Sequence, residues 1–334
     1  MRHRSLGRTG LTVSEIGFGA WGIGGTTPGA TSYGATSDDE SRRALERALE
    51  VGIDFFDTSG IYGAGHSERL LGEVLGAHRD RVVIATKAGR GDYLSPADFS
   101  PAAIRRSLEA SSTRLRTDRV DLLQLHNPPV KDMRHDDPAL ATLRALVEEG
   151  RIRAFGLSVG DPAEARIAIA ELGAPVVQLN LNLLDQRPLD DGLLDVAARH
   201  GAGIVARTPL CFGLLTGAVD EATRFAPDDH RSIWPKEQID RWVAASRAFV
   251  AAVAQREEQT PAQIALRFCL STPGVVTAIP GMLTREQVDE NSAASDLGPL
   301  PEEDFATLRA LYASRRDSLT PVRGRHTEAG ALAR

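Results

Sequence analysis

Cysteine and lysine are nearly missing from this sequence of 334 residues. The two cysteines, Cys211 and Cys269, stand far apart, which excludes a disulfide framework and a cysteine zinc site and leaves both as small buried hydrophobes. The eight histidines include no H-x-H or H-E-x-x-H pair, so a metal hydrolase is disfavoured and no metal is expected. No apolar run approaches the roughly 18 residues that cross a bilayer. The opening Met1-Arg2-His3-Arg4-Ser5 leads into no apolar signal core, and a cytoplasmic location is predicted. With no dense Lys/Arg block and a formal charge of -6, nucleic acid and acidic membrane are poor partners. The expectation is a monomer or weak homo-oligomer acting on a small molecule.

What is present is a rhythm. Hydrophobic residues make up 42% of the chain, enough for a large core. Short runs rich in Val and Ile at 16–19, 53–57, 82–86, 120–125, 152–157, 175–179, 203–206 and 275–279 read as strands. Between them lie helical patterns at 38–51, 67–77, 101–115, 138–149, 162–171, 190–199, 239–256 with 261–270, and 284–294. Ser37 or Asp38, Ser100-Pro101, Asp137-Pro138 and Asp161-Pro162 read as helix starts, and Gly52, Gly150, Gly173 and Gly201 as stops. Such alternation gives parallel strands joined by crossover helices, and eight units predict a closed (β/α)8 TIM barrel of the α/β class. The first dozen residues read as an N-terminal β-hairpin and 301–312 as an extra C-terminal helix. Residues 1–314 form one domain in this reading, and the polar, Gly/Arg-rich 315–334 a flexible tail.

Barrel enzymes carry their working residues where strands end. Here those positions hold Asp57 with Tyr62 five residues on, then Lys87, His126, Ser158, Gln178 with Asn180, and Arg207. Lys87 is informative because only three of the 39 basic residues are lysine. An ammonium at a strand mouth is partly desolvated and needs an anion, which Asp57 can supply. A lone strand-end His or Tyr more often packs or caps, and Lys87 with Asp57 could simply close the rim. Together the four allow a mechanism: Lys87, held by Asp57, acidifies the Tyr62 phenol, and a neutral His126 orients a carbonyl oxygen that gains charge as hydride arrives.

The run Gly52-Ile53-Asp54-Phe55-Phe56-Asp57-Thr58-Ser59-Gly60-Ile61-Tyr62-Gly63, followed by Ser67-Glu68-Arg69-Leu70-Leu71-Gly72, resembles the signature of the aldo-keto reductase family. Ile84-Ala85-Thr86-Lys87 and Asp121-Leu122-Leu123-Gln124-Leu125-His126-Asn127-Pro128 resemble its next two blocks, and the similarity runs from about residue 3 to about 312. The resemblance implies catalytic roles for Asp57, Tyr62, Lys87 and His126, and NADP(H) as cofactor with NAD(H) as the alternative. It implies nicotinamide contacts from Gly19, Ala20, Trp21, Ser158 and Gln178, and further cofactor contacts from Asp57 and Arg207. Thr208, Pro209, Leu210, Gly213 and Leu215 would cover the pyrophosphate, and Ile279, Gly281, Arg285, Gln287 and Asn291 would hold the adenosine end, where a helix N-terminus suits phosphate. Trp21, Tyr62, Tyr93, His126 and Phe212 would line the substrate pocket.

The chain departs from the family pattern at several positions. Leu181 stands where many members stack an aromatic ring on the nicotinamide, Val159 stands where Asn is frequent, and Arg285 is the one basic residue near the expected ribose 2′-phosphate. The resemblance implies a small aldehyde or ketone, or a sugar, as substrate. Two alternatives come from other classes: a Schiff-base aldolase using Lys87, which Asp57 opposes, and a non-catalytic nucleotide-binding subunit like the family's potassium-channel β-subunits. Gly17-Phe18-Gly19-Ala20-Trp21-Gly22 formally fits a dinucleotide fingerprint, but Gly24, Gly25, Pro28 and Gly29 follow and delay any helix to about Thr36, so it reads as a loop at the barrel mouth.

Overall fold

A computed structural model describes residues 1–29, 31–253 and 258–319. An antiparallel hairpin, β1 (His3–Ser5) with β2 (Thr12–Ser14), precedes eight parallel strands in chain order: β3 (Phe18–Gly19), β4 (Phe55–Asp57), β5 (Val83–Ala88), β6 (Val120–His126), β7 (Ile152–Ser158), β8 (Val176–Asn180), β9 (Gly203–Arg207) and β10 (Val275–Ile279). Each pairs with the next. The ring closes between β3 and β10 through Gly17 N–H to Ala278 O at 2.8 Å, Gly19 N–H to Pro280 O at 2.9 Å and Ala278 N–H to Glu15 O at 3.0 Å. A Cβ at Gly19 would lie 2.7 Å from the Ile279 carbonyl oxygen. The glycines of the apparent fingerprint therefore serve barrel closure, and no α-helix follows until Asp38.

The helices are α1 (Asp38–Glu50), α2 (His66–Leu75), α3 (Pro101–Leu115), α4 (Pro138–Glu148), α5 (Pro162–Ala170), α6 (Leu193–His200), α7 (Lys236–Val253), α8 (Pro261–Ser271), α9 (Arg285–Leu297) and α10 (Glu302–Leu319). The expected starts are real caps: Ser37, Ser100, Asp137 and Asp161 each accept a first-turn backbone N–H, and a proline opens three of those four helices. Gly52, Gly150, Gly173 and Gly201 stop helices with φ between +60° and +84°, a conformation that costs glycine least. The extra helix runs to Leu319, so 315–319 is helical where a tail was expected. Residues 320–334 of that tail, and 254–256 of the helix expected at 239–256, lie outside the described residues.

Period-two alternation splits the strand side chains between two cores. Outward residues such as Phe56, Ile84, Leu123 and Leu157 pack under the helices. Inward residues Phe55, Val83, Leu122, Ala154, Val176 and Val205 fill the floor of the barrel, and the hairpin plugs it with Leu6, Leu11 and Val13. One step further along the same strands the inward residues turn polar: Asp57, Lys87, Gln124, His126, Ser158, Gln178 and Arg207. Most strands also run a residue or more beyond their expected ends, so Lys87, His126, Ser158, Asn180 and Arg207 are held by sheet pairing and not by loops.

Candidate active site

The polar layer is a connected network. Asp57 and Lys87 are each 3% exposed, and Lys87 Nζ donates to Asp57 Oδ2 at 2.6 Å and to the Thr58 carbonyl at 2.8 Å. Asp57 Oδ1 accepts from Gln178 Nε2 at 2.7 Å and Gln124 Nε2 at 3.2 Å. Ser158 Oγ donates to Gln178 Oε1 at 3.1 Å, and Arg207 donates to Ser158 Oγ at 2.9 Å and Asn180 Oδ1 at 2.9 Å. A carboxylate with three donors can be buried where an isolated one could not.

Tyr62 reaches this layer from the loop between β4 and α2. Lys87 Nζ lies 5.1 Å from its ring centroid, and the His126 ring stands edge-on at 6.3 Å. The loop is clamped from outside, since a Cβ at Gly63, with φ +59°, would fall 1.9 Å from the Gly24 carbonyl oxygen. A hydroxyl relay ties the signature residues together: Ser67 Oγ lies 2.9 Å from Thr58 Oγ1 and donates to the Ala20 carbonyl at 2.7 Å. Glu68, fully buried, accepts from Thr86 Oγ1 and Arg114 Nε, both at 2.6 Å. The signature therefore encodes the frame as well as the groups in it.

Electrostatics correct one expectation. Burial, reinforced by the Asp57 carboxylate, raises the Tyr62 phenol above its ordinary range, and the cation that opposes them is Arg207. With Asp57 only 2.6 Å from Lys87, the pair presents little net charge to the phenol, so the anticipated acidification by Lys87 does not prevail. Burial lowers Lys87, and Asp57 resists. His126 is held well below its usual value by burial and by Lys87, Arg207 and Arg90, which leaves the neutral imidazole that the sequence called for. Ser59 Oγ lies 3.4 Å from His126 Nδ1.

The remaining anticipated residues divide. Gly19 and Gly281 are bridged across the barrel closure, with Ile279 paired to Arg207 beside them. Ala20 is buried and donates to the Asp57 carbonyl at 2.9 Å. Trp21 Nε1 donates to Tyr93 Oη at 2.8 Å, and the Phe212 ring stands edge-on to Trp21 at 6.0 Å, so the proposed pocket aromatics do meet. Tyr33, His230 and Trp234 extend this cluster. Thr208, Cys211, Phe212 and Gly213 all have positive φ, a concentration of backbone strain in the 208–215 segment, which also contains Pro209, Leu210 and Leu215. Cys211, expected to be a buried hydrophobe, is partly buried there against the outer core, its thiol pushed up to about 12 by burial. Arg285 pairs with Glu50 at 3.5 Å, Gln287 Oε1 accepts from Leu283 N–H at 2.7 Å, and Asn291 is buried on α9; neither of those two contacts involves Asp57, Tyr62, Lys87 or His126. Leu181 is 1% exposed in the outer core and presents no open face for a nicotinamide. Gln124 and Arg90 went unmarked in the sequence. The 120–126 block gave a signal for Gln124, since it shares an inward face with His126.

Comparison with known proteins agrees with this geometry. An uncharacterized oxidoreductase of Mycobacterium bovis is 36% identical over 314 residues, covering 92% of this chain and 88% of that protein. The L-galactose dehydrogenase of Arabidopsis thaliana is 31% identical, with 87% of each chain covered. Among solved structures, the glycerol dehydrogenase AKR11B4 from Gluconobacter oxydans superposes with a TM-score of 0.76 at 30% identity, covering 94% of this chain and 95% of that one. The family model described as Aldo/keto reductase family matches residues 15–313, and with nearly the whole barrel inside that match the chain belongs to the aldo/keto reductase family.

Proposed function

We propose that this protein is an NADP(H)-dependent oxidoreductase that interconverts a small aldehyde or ketone, sugars included, and its alcohol, with Tyr62 as the proton donor and acceptor. The observation that carries the reading is the convergence of Tyr62, Lys87, Asp57 and His126 at one end of the barrel, around a phenol that keeps its proton and an imidazole that is neutral. The donor set suits a nicotinamide dinucleotide: Arg207 is held by the neutral acceptors Asn180 and Ser158, which leaves its charge for phosphate or carboxamide oxygen. Ser158 and Gln178 would hold the carboxamide, since the Ser158 hydroxyl, which accepts from Arg207 at 2.9 Å, keeps a second acceptor position. The segments 208–215 and 279–291 would hold the pyrophosphate and adenosine.

A reduced nicotinamide supplies a hydride to the carbonyl carbon. The protein's part concerns the oxygen. Neutral His126 donates a hydrogen bond that orients it, Tyr62 Oη transfers its proton to the oxygen as charge builds there, and the phenolate left behind is favoured by the Arg207 cation, while Lys87, held by Asp57, borders the phenol ring. In the reverse direction the phenolate accepts the alcohol proton. The Lys87–Asp57 pair argues against a Schiff base, because a nucleophilic lysine must be free of so tight a partner. Tyr62→Phe tests the assignment. Reduction of 4-nitrobenzaldehyde is expected to fall by about 10²- to 10⁴-fold, the usual contribution of a general acid, while NADPH affinity by fluorescence titration stays within a few-fold. Turnover retained by this variant removes Tyr62 from the role.

A further inference from the structure

One cation at the barrel mouth has no part in the mechanism above. β5 ends at Ala88, the chain turns at Gly89 with φ +97°, and Arg90 follows, half-buried. Its Nε donates to the His126 carbonyl at 3.3 Å, which ties the guanidinium to the backbone of the residue whose imidazole is proposed to orient the substrate oxygen. Several half-buried arginines have carboxylates, as Arg114 has Glu68 at 2.6 Å, Arg79 has Asp121 at 2.7 Å and Arg4 has Glu15 at 2.6 Å, while Arg144 and Arg207 have two or more neutral acceptors each. Among the described residues, no carboxylate pairs with Arg90.

The nearby acids are committed elsewhere. Asp92 accepts from Leu94 N–H, Ser95 N–H and Ser95 Oγ at 2.6 to 2.8 Å. Asp98 accepts from Ser100 N–H at 2.9 Å and lies 3.8 Å from Arg106. Burial lowers Arg90 with no neighbouring charge in opposition, and its own charge helps to hold His126 down. A partly buried guanidinium whose terminal nitrogens have no hydrogen-bond partner among the described residues is free to meet an anion with both of them. The groups suited to the dinucleotide lie on β7 to β10 and in the segments that follow β9 and β10, whereas Arg90 lies beyond β5 and beside β6. The anion is therefore one carried by the other reactant.

We propose that Arg90 is a specificity-determining residue that receives a carboxylate borne by the substrate, so that the protein prefers carbonyl compounds with a carboxylate group over neutral ones. The proposal rests on the carbonyl-reductase reading of the site. Its test compares 4-carboxybenzaldehyde with the similarly shaped neutral 4-methylbenzaldehyde. Hydrogen bonds to charged groups are worth about 1.5 to 3 kcal/mol, so Arg90→Met is expected to raise KM for the carboxylate probe at least about tenfold more than for the neutral probe, with kcat changing equally for both. Arg90→Lys restores part of the difference, and it keeps the comparison readable where Arg90→Met disturbs the loop. Equal KM changes for the two aldehydes overturn the proposal.

Calorimetric titration of 4-methylbenzoate into the NADP+-loaded protein reads the same contact without turnover. Binding that Arg90→Met abolishes supports the carboxylate site; no binding, or binding unchanged in the variant, overturns it. Should neither aldehyde turn over while 4-methylbenzoate binding depends on Arg90, the reductase reading falls and the anion site stands.

Discussion

The floor and the mouth of this barrel are built from the same strands, a few residues apart, on opposite physical terms. At the floor, Phe55, Val83, Leu122 and Val205 meet the hairpin residues Leu6, Leu11 and Val13 in a closed apolar plug. At the mouth, the next inward positions bury a carboxylate, an ammonium, two amides and an imidazole, together with one amide oxygen, Gln124 Oε1, that has no hydrogen-bond partner. Apolar burial stabilises wherever it occurs. A buried ion pair rarely repays its own desolvation, so the polar mouth costs stability that the apolar floor supplies.

The sharpest break in this contrast comes from the central pair. Lys87→Met leaves Asp57 buried with two amides only, and both turnover and stability are expected to fall, the latter by about 3 to 5 kcal/mol, read by kcat and by urea unfolding. The double variant Asp57→Leu with Lys87→Met is expected to regain that stability while remaining inactive. A double variant as unstable as Lys87→Met alone would show the pair to be structural. At the floor the signs reverse: Leu122→Ala should cost about 2 to 5 kcal/mol in urea unfolding through the cavity it opens, yet leave kcat within a few-fold at temperatures where the variant stays folded. A collapse of kcat in the folded variant would mean that the two layers are coupled.

The smallest expected effect is on pH dependence, and it sharpens the account of the mouth. A general acid works while protonated, and Tyr62 is raised, so carbonyl reduction should hold level as pH rises toward about 10, where an ordinary phenol ionises; alcohol oxidation, which needs the phenolate, should climb over the same range. His126 is lowered, so it stays neutral as pH falls, and the acid limb of reduction should lie below the ordinary histidine value of about 6.5. Profiles of kcat in both directions check this. A reduction rate that already falls between pH 7 and 9 would contradict the protonation state assigned to Tyr62.

Much of this architecture could be read from the chain. Val/Ile runs separated by capped helical patterns gave the strand order, and the strand-end residues Asp57, Lys87, His126, Ser158 and Arg207 do share one rim. Most strands outrun their expected ends because a polar residue after an apolar run looks like the start of a loop; in a barrel the inward face turns polar while backbone pairing continues. The glycines at 17–22 resembled a phosphate turn because local spacing does not distinguish a close strand crossing from a phosphate cradle.

The sequence by itself determined the rhythm of strands and helices, the helix ends and the identities of the reactive groups, since these depend on residues near one another in the chain. How the charges balance belongs to the tertiary fold: that Asp57 offsets Lys87 and so leaves the phenol raised, and that no acid among the described residues answers Arg90. Coulombic and desolvation energies depend on distance through space and on exclusion of water, and neither is fixed until strands far apart in the chain stand side by side.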